Sequence, residues 1–275
     1  MLGGVAWNEM VYLDALPDPV PQTTFARRSH RTVGSSGAGK ALNLRRLGWD
    51  VTLWAAVGDD DDGDRIRARM AEEGIRFMTA HDPAGTVHHV NLMDPSGDRV
   101  SIFANSGSPN LVVDHTLIRP LLVGVDVVSV TIFDHCRGFL PILTGAGVRP
   151  WIDIHDYDGE NPHHDDFIRA AGHLTMSSQA YPGWRRFAEA RLEAGTRVVI
   201  CTHGAGGASV LTDDGWIHVP AAHVKTMVDS NGAGDGFTAA FADSWLRGGS
   251  VEESTQRAAA WAARVVESPE LAPDR

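Results

Sequence analysis

Short, nearly continuous apolar runs alternate with amphipathic segments along almost the whole chain, and this pattern constrains the fold more than any other. The runs begin at Val51 (VTLWAAVG), Val125 (VDVVSVTIF), Trp151 (WIDI), His173 (HLTM) and Thr196 (TRVVICT), with helix-like stretches between them. Strands without polar alternation are buried on both faces, which calls for a mostly parallel sheet covered by helices. The fold class is α/β. In DRIRARMAEEGI, Ile66, Met70 and Ile75 recur near helical spacing. Near the end, Phe237, Phe241 and Trp245 recur every fourth residue, and Gly248 with Gly249 closes that helix. Ser250 with Glu253 then forms a capping box that opens the last helix.

Two segments break the pattern. TTFARRSHRTV and GTVHHVNLMDPSGDRVSIF alternate polar and apolar residues, and the second carries the turn DPSGD between strand-like arms. They predict a small antiparallel side sheet that could act as a lid. The net charge of −11 argues against a general nucleic-acid binder. No apolar run approaches the roughly 20 residues that cross a bilayer, and the start lacks a signal-peptide pattern. Cys136 and Cys201 lie in or near apolar stretches and read as buried structural thiols of a cytoplasmic protein.

Two Gly-rich loops compete for a phosphate. From Gly34 to Lys40 the chain fits G-x-x-x-x-G-K. A phosphate loop of that kind follows a buried strand and has Ser or Thr after its Lys. Here RRSHRTV precedes the loop and Ala41 follows it, so this is a look-alike at a helix start. The second loop, VDSNGAGDGF, runs directly into an amphipathic helix. Amides of Gly232, Ala233 and Gly234 would project from that helix N-terminus, where an anion is favoured. Asp235 falls in the first turn. Either it is a first-turn acid satisfying the helix dipole, or it takes the proton of a hydroxyl attacking phosphorus.

DSNGAGD, Asp229 to Asp235, resembles the D-T-x-G-A-G-D signature of the ribokinase-like (PfkB) carbohydrate kinases. VGSSGAGKALNLRRLGWDVTLWAAVGDDDDG and VVICTHGAGGASVLTDDGW are similar to further segments of that family, in the family's order. The resemblance implies a three-layer α/β/α ribokinase-like fold: one kinase domain over residues 1–275, with a lid sheet from about 9–33 and 85–107. It implies ATP with Mg2+ as cofactors and a sugar or nucleoside as acceptor. Asp235 becomes the catalytic base, and Gly232, Ala233 and Gly234 the anion hole. Asp229, Asn231, Thr202, Gly204 and Gly207 become cofactor-binding. Asn8, Gly34, Ser36, Gly37 and Gly39, with Asp235, face the acceptor. A homodimer through the lid sheet is implied as well.

The chain departs from the family pattern in several places. The family's Asn is Gly39 here, its second Gly is Ser35, and Asn8 stands where an Asp is frequent. Near Ser177, Ser178 and Gln179, Ala180 or Tyr181 replaces the Glu that helps place Mg2+. Asp153, His155, Asp156 and Asp158 crowd together, as a metal site or, more commonly, as a polar loop. Arg27, Arg28, His30 and Arg31 read as a receptor for a phosphorylated sugar or as a charged lid strand. The expected reaction is phosphorylation of a primary alcohol on a sugar. A nucleoside acceptor, in view of Asn231, and a catalytically weak binding protein on the same fold remain as alternatives. Asp235→Ala is expected to fold normally and lose turnover. The assignment further requires an Asp235 that is not locked into a buried ion pair.

Overall fold

The computed structural model describes residues 1–273. In chain order the elements are β1 (Ala6–Tyr12), β2 (Arg28–Gly34), α1 (Ser36–Arg46), β3 (Thr52–Val57), α2 (Asp61–Glu72), β4 (Arg76–His81), β5 (His88–Met93) and β6 (Arg99–Asn105). Then come β7 (Ser129–Val130), α3 (Phe139–Gly145), β8 (Trp151–Asp153), α4 (Asp165–Ala170), β9 (His173–Ser177), α5 (Trp184–Glu193) and β10 (Val198–Thr202). The chain ends with β11 (Ala208–Thr212), β12 (Gly215–Val219), α6 (Ala233–Leu246) and α7 (Val251–Val266). Two compact units emerge. One holds Met1–Gly3, Asn110–Ala222 and Ala240–Ala260; the other holds Gly4–Pro109, His223–Ala239 and the residues from Trp261 onward.

The first unit is built on a six-stranded sheet in the order β12-β11-β10-β9-β8-β7. Strands β7 to β10 run parallel, and β11 and β12 return antiparallel. Ile152, Leu174, Val199, Ile200 and Val210 are fully buried, as the apolar runs require. Trp151 stacks on His173 at 4.8 Å and meets Phe241 and Trp245 edge-on, which explains the fourfold spacing of those aromatics. The nine-residue run from Val125 gives only the two-residue strand β7. Val125 itself is exposed, and Leu2 bridges Val130 on the side away from β8. The capping box forms as read: Ser250 N donates to Glu253 Oε2 at 2.9 Å and Glu253 N to Ser250 Oγ at 3.2 Å.

The second unit contains the parallel pair β3–β4 and a four-stranded sheet in the order β2-β1-β5-β6. The β5–β6 hairpin turns at DPSGD, where Asp94 Oδ1 accepts from the amides of Ser96 and Asp98. Burial alternates strictly along β1 and β5. Asn8, Met10, Tyr12, His89, Asn91 and Met93 form one buried face, while Trp7, Glu9 and Val11 lie on the other. The edge strand β6 leaves Val100, Ile102 and Phe103 exposed. Asp60 caps α2 by accepting from Gly63 N, and Ile66 and Met70 are fully buried. Each such side chain contributes about 1.5–3 kcal/mol.

Candidate active site

The loop before α6 ends in Gly232, whose φ of 77° suits a residue without Cβ. Gly234 is exposed, and among the described residues nothing beyond its chain neighbours and the helix's own backbone lies within 4 Å of where its Cβ would stand. Of the three amides expected to hold an anion, that of Ala233 reaches Ser230 O at 3.4 Å. Those of Gly232 and Gly234 donate to no backbone carbonyl among the described residues. A helix N-terminus with amides left without a backbone partner is a ready anion site.

Asp235 occupies the first turn of α6, as its spacing predicts. Its Oδ1 accepts from Ser36 Oγ at 2.6 Å and from Lys40 Nζ, and Lys40 Nζ also donates to Ser36 Oγ at 2.6 Å. The Lys40 side chain is 3% exposed and that of Asp235 11%. The carboxylate is therefore in a buried ion pair, contrary to what the sequence reading required of it. The pairing is one-sided, however. Oδ2 takes no hydrogen bond among the described residues and is not among the buried unpartnered atoms. The clamp fixes one oxygen and leaves the other free to accept a proton.

Sequence reasoning passed over Lys40 because it matched a phosphate loop that fails. Its one available signal is that Lys40 follows Ser36 by one helical turn. Close approach is possible because α1 opens with Gly37, Ala38 and Gly39, all buried. A Cβ on Gly39 would overlap Asp235 Oδ2. Thus Gly39, in place of the family's Asn, makes room for the acid.

The motif's first acid is saturated. Asp229 Oδ2 accepts from Tyr12 Oη at 2.8 Å, and Oδ1 accepts from Asn231 N and Nδ2, both at 2.8 Å. Burial, and next Asp229, push the Tyr12 hydroxyl well above its ordinary range. Asn231 Oδ1 accepts from Arg99, and Ser230 Oγ donates to Gly97 O at 2.9 Å. The buried face of the four-stranded sheet therefore meets the 229–231 loop directly. Asn8 lies on this face, its amide against Gly34. Ser35 turns the chain from β2 into α1 with φ 74° and ψ 152°, a conformation suited to the family's Gly.

In the first unit, Thr202 ends β10, and Gly204 (φ 57°) and Gly207 (φ 92°) turn the chain into β11. A Cβ on Gly207 would overlap Val219 O, so only Gly fits there. Unforeseen from sequence, His203 bridges Ser178 Oγ and Ser209 Oγ, each at 2.8 Å, and packs on Trp184. Burial, then His218, lowers its pKa. Where the family's Glu belongs, Ser177 Oγ accepts from Gln179 N and Ser178 is engaged by His203.

Asp158 Oδ1 accepts from the amides of Glu160 and Asn161, and Asp153 Oδ1 from His155 N. Among the described residues no group of three His, Cys, Asp or Glu could hold a metal ion. Cys136 and Cys201 are fully buried, and burial pushes both thiols up to about 12. The basic segment is engaged: Arg27 pairs with Asp14, Arg31 with Glu9, Arg28 sits over the Tyr12 ring, and His30 reaches Pro269 O. Among the described residues no helix is long and apolar enough to cross a membrane.

The chain has recognisable relatives among known proteins. Residues 185–274 match the pfkB family carbohydrate kinase model. The chain is 36% identical over 257 residues to the deoxyribokinase of Salmonella typhimurium, covering 84% of this chain and 80% of that protein. It is 28% identical over 264 residues to the acarbose 7(IV)-phosphotransferase of an Actinoplanes species, covering 92% and 86%. Among solved structures, a microbiome-derived acarbose kinase superimposes with a TM-score of 0.87 at 28% identity, covering 97% of this chain and 91% of that one.

Proposed function

Because the chain belongs to the pfkB family of carbohydrate kinases, we propose that it transfers the γ-phosphoryl group of ATP to a primary hydroxyl of a sugar. The observation that carries this reading is Asp235 at the mouth of the α6 N-terminus, held by Ser36 and Lys40 through one oxygen only. Its Oδ2 accepts the proton of the attacking hydroxyl. Amides of Gly232, Ala233 and Gly234 face the transferring phosphoryl group and stabilise charge that grows on its oxygens. The acceptor is held by Asn8, Gly34, Ser36, Gly37 and Gly39. Asp229, Asn231, Thr202, Gly204 and Gly207 serve the nucleotide side.

Bound Mg2+–ATP supplies the transferable group, with the metal neutralising phosphate charge. Mg2+ commonly sits on one or two carboxylates plus substrate phosphates, keeping several waters. The whole chain acts as one kinase domain in the cytoplasm, with the four-stranded sheet as lid. Exposed Val100, Ile102 and Phe103 on β6 support pairing with a second copy; light scattering that gives a monomer at working concentrations removes that part.

Coupled ADP release tests the activity, with ribose, fructose, maltose, acarbose and adenosine as acceptors. Turnover on any of the sugars supports the proposal. Turnover on adenosine alone shifts the reading to the nucleoside alternative, which Asn231 favours. None at all leaves a binding protein.

A further inference from the structure

The buried face of the four-stranded sheet carries two polar atoms that the fold itself leaves unsatisfied. Asn8 is 6% exposed and His89 8% exposed, and neither Asn8 Oδ1 nor His89 Nε2 has a hydrogen-bond partner among the described residues. A buried polar group without a partner costs about 1–3 kcal/mol, so two on one face call for an explanation. They are also neighbours. Asn8 on β1 and His89 on β5 are directly paired in the parallel register, which puts their side chains on the same face about 4.8 Å apart.

The strand is irregular at this point. The β5–β6 register shifts between His88 and His89, so His88 pairs with Asn105 and His89 with Phe103. A bulge of this kind re-aims a side chain and is over-represented beside active sites. Asn8 also lies against Gly34, at the entrance to the turn that delivers Ser36 to Asp235.

We propose that Asn8 Oδ1 and His89 Nε2 together form the recognition site for hydroxyl groups of an uncharged, unphosphorylated sugar acceptor, with His89 as a specificity-determining residue. This rests on the kinase reading and narrows its acceptor. Asn8 Oδ1 can only accept, so its partner must bring a hydrogen. His89 Nε2 donates or accepts according to tautomer, and a hydroxyl can answer either way. A phosphate group would set its own acceptor oxygens against Oδ1. Burial, and after it His88 and Arg99, lowers the His89 pKa to about 4, so the ring offers no positive charge to an anion at neutral pH. Phe103, 55% exposed, packs on the His89 ring at 4.0 Å.

The test compares the native chain with His89→Phe, which keeps a flat ring and removes both nitrogens. ADP release is measured with ribose, fructose, maltose and acarbose, and then with monodeoxy analogues of the best acceptor. For that acceptor His89→Phe should raise KM about tenfold or more with kcat within about twofold, and should raise the melting temperature because a buried unpaired nitrogen is gone. One monodeoxy analogue that loses at least tenfold against the native chain should lose nothing further against the variant. Unchanged acceptor kinetics in His89→Phe, or an equal loss on every analogue, overturns the assignment while the kinase reading stands. Failure of the native chain to phosphorylate any of the four sugars overturns this assignment together with the sugar-kinase reading.

Discussion

Replacing Asp235 by Ala removes the counter-charge from a Lys40 side chain that is only 3% exposed. A unit-charge pair at contact is worth about 4 kcal/mol at the effective dielectric of a partly buried site. Removing one partner of a buried pair typically costs about 3–5 kcal/mol. Ser36 Oγ still accepts from Lys40 Nζ, which offsets part of the loss, so Asp235→Ala should destabilise the protein by about 2–4 kcal/mol. For a chain of this size that lowers Tm by roughly 10 °C. The variant is still expected to fold, as its sequence position implies, but with lower stability than the parent. Turnover should fall about 10²–10⁴-fold through loss of the base.

The control is the double variant Lys40→Met/Asp235→Ala, with no buried charge left to strand. It should recover at least half of the lost Tm and none of the lost turnover. Thermal melts at pH 7.5 and coupled ADP release read the two effects separately. An Asp235→Ala protein that melts within about 2 °C of the parent would falsify the energetic role of the pair. A double variant as unstable as the single one would place the defect elsewhere.

Three further outcomes can be checked independently. Gly39→Ala puts a Cβ onto Asp235 Oδ2, so kcat should fall at least tenfold because a misplacement of about 1 Å at the reacting centre can cost roughly 10²-fold; full activity would mean that Oδ2 is not the reacting oxygen. Ser35→Gly relieves a backbone conformation costing about 1–3 kcal/mol against a Gly entropy penalty of about 0.5–1 kcal/mol, and a urea midpoint below the parent's would contradict the strain. Burial, then Arg197 and Arg149, lowers the His173 pKa from its ordinary 6.5 to about 4 in the folded protein. Its contribution is thus complete above pH 6.5 and erodes as the unfolded chain takes up a proton, by about 1–2 kcal/mol at pH 5. His173→Phe should flatten stability between pH 6.5 and 4, and an unchanged slope would refute the cause.

Local patterns in the sequence determined a good deal of this protein. Apolar strands without alternation specified the parallel core, the Ser250–Glu253 spacing specified a cap, and DPSGD specified the β5–β6 hairpin. The Gly-rich run before α6 placed an acid in a first turn. Each of these depends on residues within a few positions of one another. The run from Val125 misled because apolar character reports burial, whereas strand length depends on partners, and β7 has them only at Ser129 and Val130. Tertiary structure alone decided that Lys40 reaches Asp235 across 195 positions. It alone set Asn8 beside His89, because strand register between distant segments is fixed by packing and pairing that no local pattern encodes.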